Sequence, residues 1–458
     1  MSTTRRQVLA RSGALGAGIA FSGALSELFA GTATALGHSG YGPLVPDPKG
    51  LLDLPKGFRY RVLSREGDEL RSGEGKVPSN HDGMAAFAGR STDRHSGRVH
   101  LVRNHENRNT AKLAVPTVKG LTYDPEGKGG CTTLTLDARG KVLGERVAIA
   151  GTAVNCAGGP TPWGTWLTCE ETEDKAGTNG YTKDHGFIFE VDPADPHRTG
   201  AVPLTAMGRF QHEAIAVDPK RGIVYETEDA FEKPFGLFYR FLPNKPEGGR
   251  GSLRAGGRLQ AMRVPGVPDL SKIQETGATF DGIEWADVPD PLAAETPIRL
   301  QDFGPKGITH AQKLEGCYWG GRSVYFVSSF ARSAEGSAAD HYGQIWRYDP
   351  DARQLTLVIV FGPDTDVQLP GESPDNICLA PTGGLMVCED GGGAQHVYGV
   401  TRRGEVYAMA RNRQNVGTPE EPEWGEFAGV TFSPDGKTMY VNCYAPGTTF
   451  AVTGPWRR

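Results

Sequence analysis

Short apolar runs alternate with tight polar turns along most of the chain, and one unit recurs: LTLDARGKVLG at 134–144, IAVDPKRGIVYE at 215–226, CLAPTGGLMVCE at 378–389, YGVTRRGEVYAM at 398–409 and TFSPDGKTMYVN at 431–442. In each, two runs rich in β-branched, aromatic or other apolar residues flank a Gly-containing turn, the pattern of a β-hairpin. Related turns lie at Val191-Asp192-Pro193 and Tyr348-Asp349-Pro350. Helical periodicity is nearly absent, and the best short helical candidates are insertions near 268–275 and 290–295.

Hairpins spread along so long a chain favour an all-β propeller over a single sandwich. Ligand-type polar residues recur at or just before such strands: Asn104-His105-Glu106, Glu170-Glu171, His212-Glu213, Glu315, Asp375-Asn376 and Glu426. Six positions predict a six-bladed β-propeller with loop insertions. The innermost strand of each blade would line the axis, so that one polar group per blade converges on a shared site. The competing reading of each motif alone is an ordinary loop residue between strands.

Composition fits many turns, with 63 Gly and 32 Pro in 458 residues, both above average usage. A net charge of −5 and the lack of a basic run outside the N-terminus argue against a nucleic-acid partner and leave a small solute. A monomer is expected. Thr4-Arg5-Arg6-Gln7-Val8-Leu9, an apolar stretch from Gly13 to Ala30 and Ala33-Thr34-Ala35 predict a twin-arginine signal peptide over 1–35, with one propeller domain over 36–458. The chain would then meet the twin-arginine export machinery and be periplasmic or extracellular. No stable membrane span is expected, because the apolar stretch is Gly/Ala-rich and interrupted by Ser22, Ser26 and Glu27.

Seven cysteines leave one unpaired if the others bridge, and the absence of C-x-x-C excludes a zinc ribbon or thioredoxin-like site. Cys378 and Cys388 lie in apolar strands and read as core. Cys156 differs, because it opens NCAGGPTPWGTWLTCEE at 155–171. Two glycines and two prolines predict a loop over 157–162, and Trp163 to Cys169 reads as a strand. Cys156 and Glu170/Glu171 would then sit at opposite ends of one strand unit, brought together only by a chain reversal. A soft thiol and hard carboxylates in one segment suggest a site for more than one kind of metal ion. A buried structural Cys beside a solvated Glu pair is the alternative.

Together with PSNHDGMAAF (78–87), NHE (104–106), GGCTTL (129–134), GRFQHEA (208–214), the LEG around Glu315, SPDNI (373–377) and EFAGVTFSPDGKTMYVN (426–442), this segment resembles the PhoX-type alkaline phosphatases, in the same order over nearly the whole mature chain. The resemblance implies a twin-arginine-exported six-bladed propeller that hydrolyses phosphate monoesters at an axial site of iron and calcium. Carried over by position, it makes Cys156, Glu213 and Glu315 iron ligands, with Glu426 a further candidate. Glu171 and Glu170 become calcium ligands, joined by Asp82, Asn104 and Asp375. Adjacent strand residues face opposite ways, which favours Glu171 over Glu170. His212 by the same rule faces away from Glu213, while His81 and His105 could orient carboxylates.

One departure stands out: Lys313 occupies the place of the family's phosphate-gripping arginine, two residues before Glu315. A lysine holds phosphate as a point charge without a bidentate fork, and Lys313 is the expected catalytic cation. Two other functions remain open on the sequence: a calcium-only propeller lactonase or esterase, which needs no thiolate, and a non-catalytic ligand-binding propeller.

Overall fold

A computed structural model describes residues 40–89, 97–230, 232–329, 341–362, 366, 368–381 and 383–456. The twin-arginine segment at 1–35 lies outside the described residues. Six antiparallel sheets stand around an axis as a six-bladed propeller. Their innermost strands are, in ring order, His81–Ala88, Asn155–Pro160, His212–Val217, Leu314–Trp319, Pro374–Leu379 and Phe427–Phe432. These define blades I to VI. All five hairpins expected from the sequence form, because each turn joins two strands that pack on both faces.

The blades hold one another through apolar layers between them. Val102 and Ile149 of blade I meet Trp166 and Phe189 of blade II, and Phe238 of blade III stacks on Phe326 of blade IV with ring centroids 4.2 Å apart. Strands buried on both faces explain the near-continuous apolar runs: every residue of Trp166–Glu170, Val224–Glu228 and Leu385–Glu389 is buried. The ring is closed by the N-terminal strand Arg59–Arg65, which pairs with the C-terminal strand Thr448–Thr453 in blade VI. This removes the open edge that a linear array would leave.

One irregularity repeats in all six inner strands. Pairing with the second strand slips between His81 and Met84, Asn155 and Gly158, His212 and Ile215, Leu314 and Cys317, Pro374 and Ile377, and Ala428 and Thr431. Each slip is a β-bulge, which sets two residues against one and re-aims a side chain. In four blades a left-handed residue stands two positions before the re-aimed one: Asn80, Val154, Lys313 and Ser373. The positive φ of Lys313 is therefore a repeated feature of blade entry.

Three local expectations are corrected. Residues 155–160 form a strand, and the chain turns only at 161–165, so the predicted loop over 157–162 is largely strand. The glycines are there for closeness: a Cβ on Gly159 would lie 2.1 Å from the carbonyl oxygen of Ile215 on the next inner strand. Only a single 3-10 turn, Leu270–Lys272, forms within 268–275, and none forms over 290–295. All seven cysteines are buried and unbridged.

Candidate metal centre

The repeated bulge is what builds the site. Its first residue in blades I to V is Asp82, Cys156, Glu213, Glu315 and Asp375, so five side chains spread over the sequence occupy one structural position. Blade VI has Gly429 there, with φ +63, and a Cβ at that point would come within 2.5 Å of the Asp82 carbonyl oxygen. Glu426, just before that strand, supplies the acid of blade VI from outside the bulge.

The chain reversal expected from the sequence brings Cys156 and Glu171 together, and it is the hairpin turn at 161–165. Asn155 pairs with Glu170 across the hairpin, which sets the two following positions side by side at one end of blade II. Ligand atoms of Cys156, Glu171 and Glu213 lie within 4.8 Å of one another, and the same holds for Glu213, Glu315 and Asp375. Glu213 belongs to both triads.

A second tier of acids comes from the ends of the second strands. Glu106 follows Val99–His105, Glu171 follows Trp166–Glu170, Asp229 follows Val224–Glu228 and Asp390 follows Leu385–Glu389. Asp229 and Asp390 went unrecognised in the sequence, although Glu228-Asp229 and Glu389-Asp390 repeat the Glu170-Glu171 pair at the same place in their blades. Burial and then the neighbouring charges of Asp229 and Asp390 push up the carboxyl pKa values of Glu171 and Glu426 respectively.

In each pair the first residue faces the blade and the second the axis. This removes Glu170 from the ligand set. Its Oε1 accepts hydrogen bonds from the Ala153 backbone N–H (2.8 Å) and His185 Nδ1 (2.6 Å), and its Oε2 accepts from the N–H groups of Gly186 and Phe187 (2.9 and 3.0 Å). Glu389 does the same work in blade V, accepting from the N–H groups of Gly371, Glu372 and His396 and from His396 Nδ1.

Asn104 is likewise removed. Its side-chain oxygen accepts from Cys131, Trp166 and Thr168, and its amide donates to the carbonyls of Cys156 (3.2 Å) and Ala157 (2.6 Å). It pins the bulge that presents Cys156. The histidines are structural too. His81 contacts the Pro78 carbonyl and Thr449, His105 contacts the Ser79 carbonyl and Thr132, and His212 contacts the Gly208 carbonyl. The expected carboxylate contacts of His81 and His105 are not made. Burial pushes the His212 pKa down to about 3.

The electrostatics are one-sided. Burial, reinforced by neighbouring acids, holds Asp82, Glu171, Glu213, Glu315 and Glu426 well above the usual carboxylate range and Asp375 at about 7. Burial and the charges of Glu213, Glu171 and Asp82 also push the Cys156 thiol far up, so without a cation it is a poor nucleophile. Two cations stand among these groups. Lys313 Nζ bonds Glu315 and lies 3.9 Å from Asp229. Burial would lower its pKa, but the charges of Glu315, Asp229 and Asp390 outweigh that and keep it protonated. The other, Arg108, was not singled out in the sequence. Its side chain is 61% exposed, and its guanidinium lies 3.5 Å from Glu106 and 3.7 Å from Glu171.

The sequence profile described as alkaline phosphatase PhoX matches residues 39–145 and 138–447, most of the chain. The chain belongs to the PhoX alkaline phosphatase family. Among solved structures, this PhoX-family chain is similar to Pseudomonas fluorescens PhoX in complex with vanadate, a transition-state analogue, at 19% identity and a TM-score of 0.64. The match covers 88% of this chain and 96% of that one. A looser likeness is to a gluconolactonase from Xanthomonas campestris, at 12% identity and a TM-score of 0.45, covering 90% of this chain and 98% of that one. No curated protein sequence matches this PhoX-family member. Its family makes it a phosphatase, and no helix among the described residues is long and apolar enough to cross a membrane.

Proposed function

We propose that the protein is an exported, metal-dependent phosphatase that hydrolyses phosphate monoesters of small solutes at the axial acid cluster. The observation that carries this reading is the charge imbalance. Among the described residues, nine carboxylates (Asp82, Glu106, Glu171, Glu213, Asp229, Glu315, Asp375, Asp390 and Glu426) and the Cys156 thiol interact around only Arg108 and Lys313. Buried acids in such excess require cations to ionise together.

The donor types fit iron and calcium. Cys156, with Glu213 and Glu315, would hold iron, since a thiolate suits a softer transition metal. Glu171, Asp82 and Asp375, with Glu106, Asp229 and Asp390, offer the hard oxygens that calcium takes in irregular geometry, and Glu426, a further iron candidate on the sequence, belongs to neither triad and is grouped with them. When bound, these ions supply positive charge for the phosphoryl oxygens and Lewis acidity for the transition state.

The chain's own cations divide the work of holding substrate. Lys313, fixed between Glu315 and Asp229, places a point charge deep in the site. Arg108 lies at the exposed rim, and its distances to Glu106 and Glu171 exceed those of direct hydrogen bonds. Its N–H groups are free to grip phosphate as a fork, the function that Lys313 lacks. Glu106 and Glu171 aim that guanidinium inward.

The test is elemental analysis of iron and calcium in protein exported by the twin-arginine route, with phosphate release from p-nitrophenyl phosphate measured before and after a calcium chelator. Bound iron and calcium with chelator-sensitive release support the reading. Active protein with calcium and no iron, or metal-loaded protein that releases no phosphate, overturns it.

A further inference from the structure

The acid cluster sits where the inner strands begin, and the opposite ends of those strands carry a different kind of site. The turns at 218–223 in blade III and 350–353 in blade IV lie at that far face, joining Val217 to Val224 and Asp349 to Gln354. Between the two blades opens a cleft of about 570 Å³, lined by Arg221, Tyr225, Arg240, Trp285, Tyr348 and Arg353 among others. That volume suits a small organic ligand.

Its charges are the reverse of those at the axis. Of the lining residues only Glu284 is acidic, and it is already engaged by Lys306 at 3.2 Å and Arg263 at 3.5 Å. Arg221 is paired with Asp218 and Asp351. Arg240 and Arg353 have no carboxylate partner among the described residues. Arg240 donates through Nε to Gln260 Oε1 at 2.8 Å and lays its guanidinium 4.7 Å from the ring centre of Trp285. Arg353 donates only to the backbone carbonyls of Ile283 and Gly282. Burial holds the Arg240 pKa below its ordinary value, and the charges of Arg258 and Arg353 add to that, so an anion here would find a cation short of compensation.

An independent observation points to the same place. Tyr225, in the cleft lining, is fully buried and its hydroxyl has no hydrogen-bond partner. A buried hydroxyl is normally satisfied by protein, water or ligand. Beside it stands the half-buried indole of Trp285, which meets the buried Tyr348 ring edge-on with centroids 5.6 Å apart and donates through Nε1 to the Tyr348 hydroxyl at 3.3 Å.

We propose that this cleft binds a small organic anion, with its oxyanion head held by Arg240, Arg353 and the Tyr225 hydroxyl and a planar body lying against Trp285. The head is an oxyanion, phosphate-like, sulfonate or carboxylate in chemistry, since two arginines and a hydroxyl serve all three. The site lies at the other end of the blade III hairpin from Glu213 and uses none of the residues of the acid cluster.

The test is calorimetric titration of the metal-loaded protein with phenylphosphonate, a non-hydrolysable aryl oxyanion, and with methylphosphonate. A binding event is expected that survives Lys313→Ala and is lost or weakened about tenfold or more in Arg240→Gln/Arg353→Gln, as for loss of charged hydrogen bonds. Methylphosphonate should bind that site more weakly than phenylphosphonate. Phosphatase activity should be unchanged in the double variant. If the double variant fails to fold, Arg353→Gln and Tyr225→Phe, which alter a turn residue and one hydroxyl, should each weaken the same event. Retention of all wild-type binding by every cleft variant that folds, or no binding event surviving Lys313→Ala, overturns the proposal.

Discussion

The side-chain amide of Asn104 donates to the carbonyl oxygens of Cys156 and Ala157, on the inner strand of the neighbouring blade. This link fixes the bulge that turns the Cys156 thiol toward Glu171 and Glu213. An aspartate in its place could ligate calcium but could not donate either bond. Asn104→Asp is therefore expected to cost about 2–4 kcal/mol, the scale for stranding buried acceptors beside a new buried charge. Denaturant unfolding and iron content check it. A variant with unchanged stability and metal content would show that the Asn104 amide does not hold the bulge.

Glu170 and Glu171 are adjacent and serve different ends. Glu170→Gln leaves His185 and the N–H groups of Ala153, Gly186 and Phe187 with a poorer acceptor, and a loss of about 3 kcal/mol is expected for a buried charged network. Glu171→Gln should leave folding intact or improve it in metal-free protein, because it removes an acid held up by burial and by Asp229, while lowering calcium content. Thermal unfolding and elemental analysis of the two variants separate the roles.

The two cations should separate in kinetics. Arg108→Ala removes the exposed fork and is expected to raise KM for p-nitrophenyl phosphate about tenfold with a smaller effect on kcat, the scale of one or two charge-assisted hydrogen bonds. Lys313→Ala removes the deep charge and should lower kcat/KM about 10- to 100-fold. Steady-state kinetics on metal-loaded protein decide this. If Arg108→Ala leaves KM unchanged, that residue has no part in holding phosphate.

Much of this arrangement was legible in the chain, for physical reasons. Hairpins announce themselves locally, since Gly and Asp or Pro in a turn between apolar runs admit few other conformations. Asp82, Cys156, Glu213, Glu315 and Asp375 could be marked as candidates by type and context, but their equivalence could not, because the bulge that unites them depends on pairing with a second strand. Gly158 and Gly159 misled for a related reason. Glycine signals a loop when only sequence neighbours are considered, and here it admits the backbone of blade III. Strand alternation already favoured Glu171 over Glu170, whereas Asn104, near the end of its run before Glu106, carried no local sign that its amide faces the neighbouring strand. Asp229 and Asp390 were within reach, since the acid pair at 170–171 recurs at 228–229 and 389–390. The closure of blade VI by Arg59–Arg65 joins the two ends of the chain and left no mark in either.

The raised carboxyl pKa values set a pH dependence for metal-free protein. In the unfolded chain these acids titrate near pH 4, whereas in the folded one burial keeps them protonated to higher pH, Asp375 to about 7, with Asp82, Glu213 and Glu315 likewise held well above their ordinary range. Folded protein then binds more protons than unfolded above about pH 4, so stability falls as pH rises through that range. Metal-loaded protein holds the same acids ionised and should escape the fall. Calorimetric melting of chelator-treated and loaded protein near pH 5 and near pH 8 should show a gap that widens at the higher pH. An equal gap at both would contradict the assignment of these acids to metal.

The most direct measurement is the iron content of wild-type protein and Cys156→Ala, taken on the same preparations as phosphate release from p-nitrophenyl phosphate. Wild-type protein is expected to carry iron and activity, and the variant to lose both while keeping its fold by circular dichroism. A folded Cys156→Ala enzyme that retains iron and full activity would contradict the account.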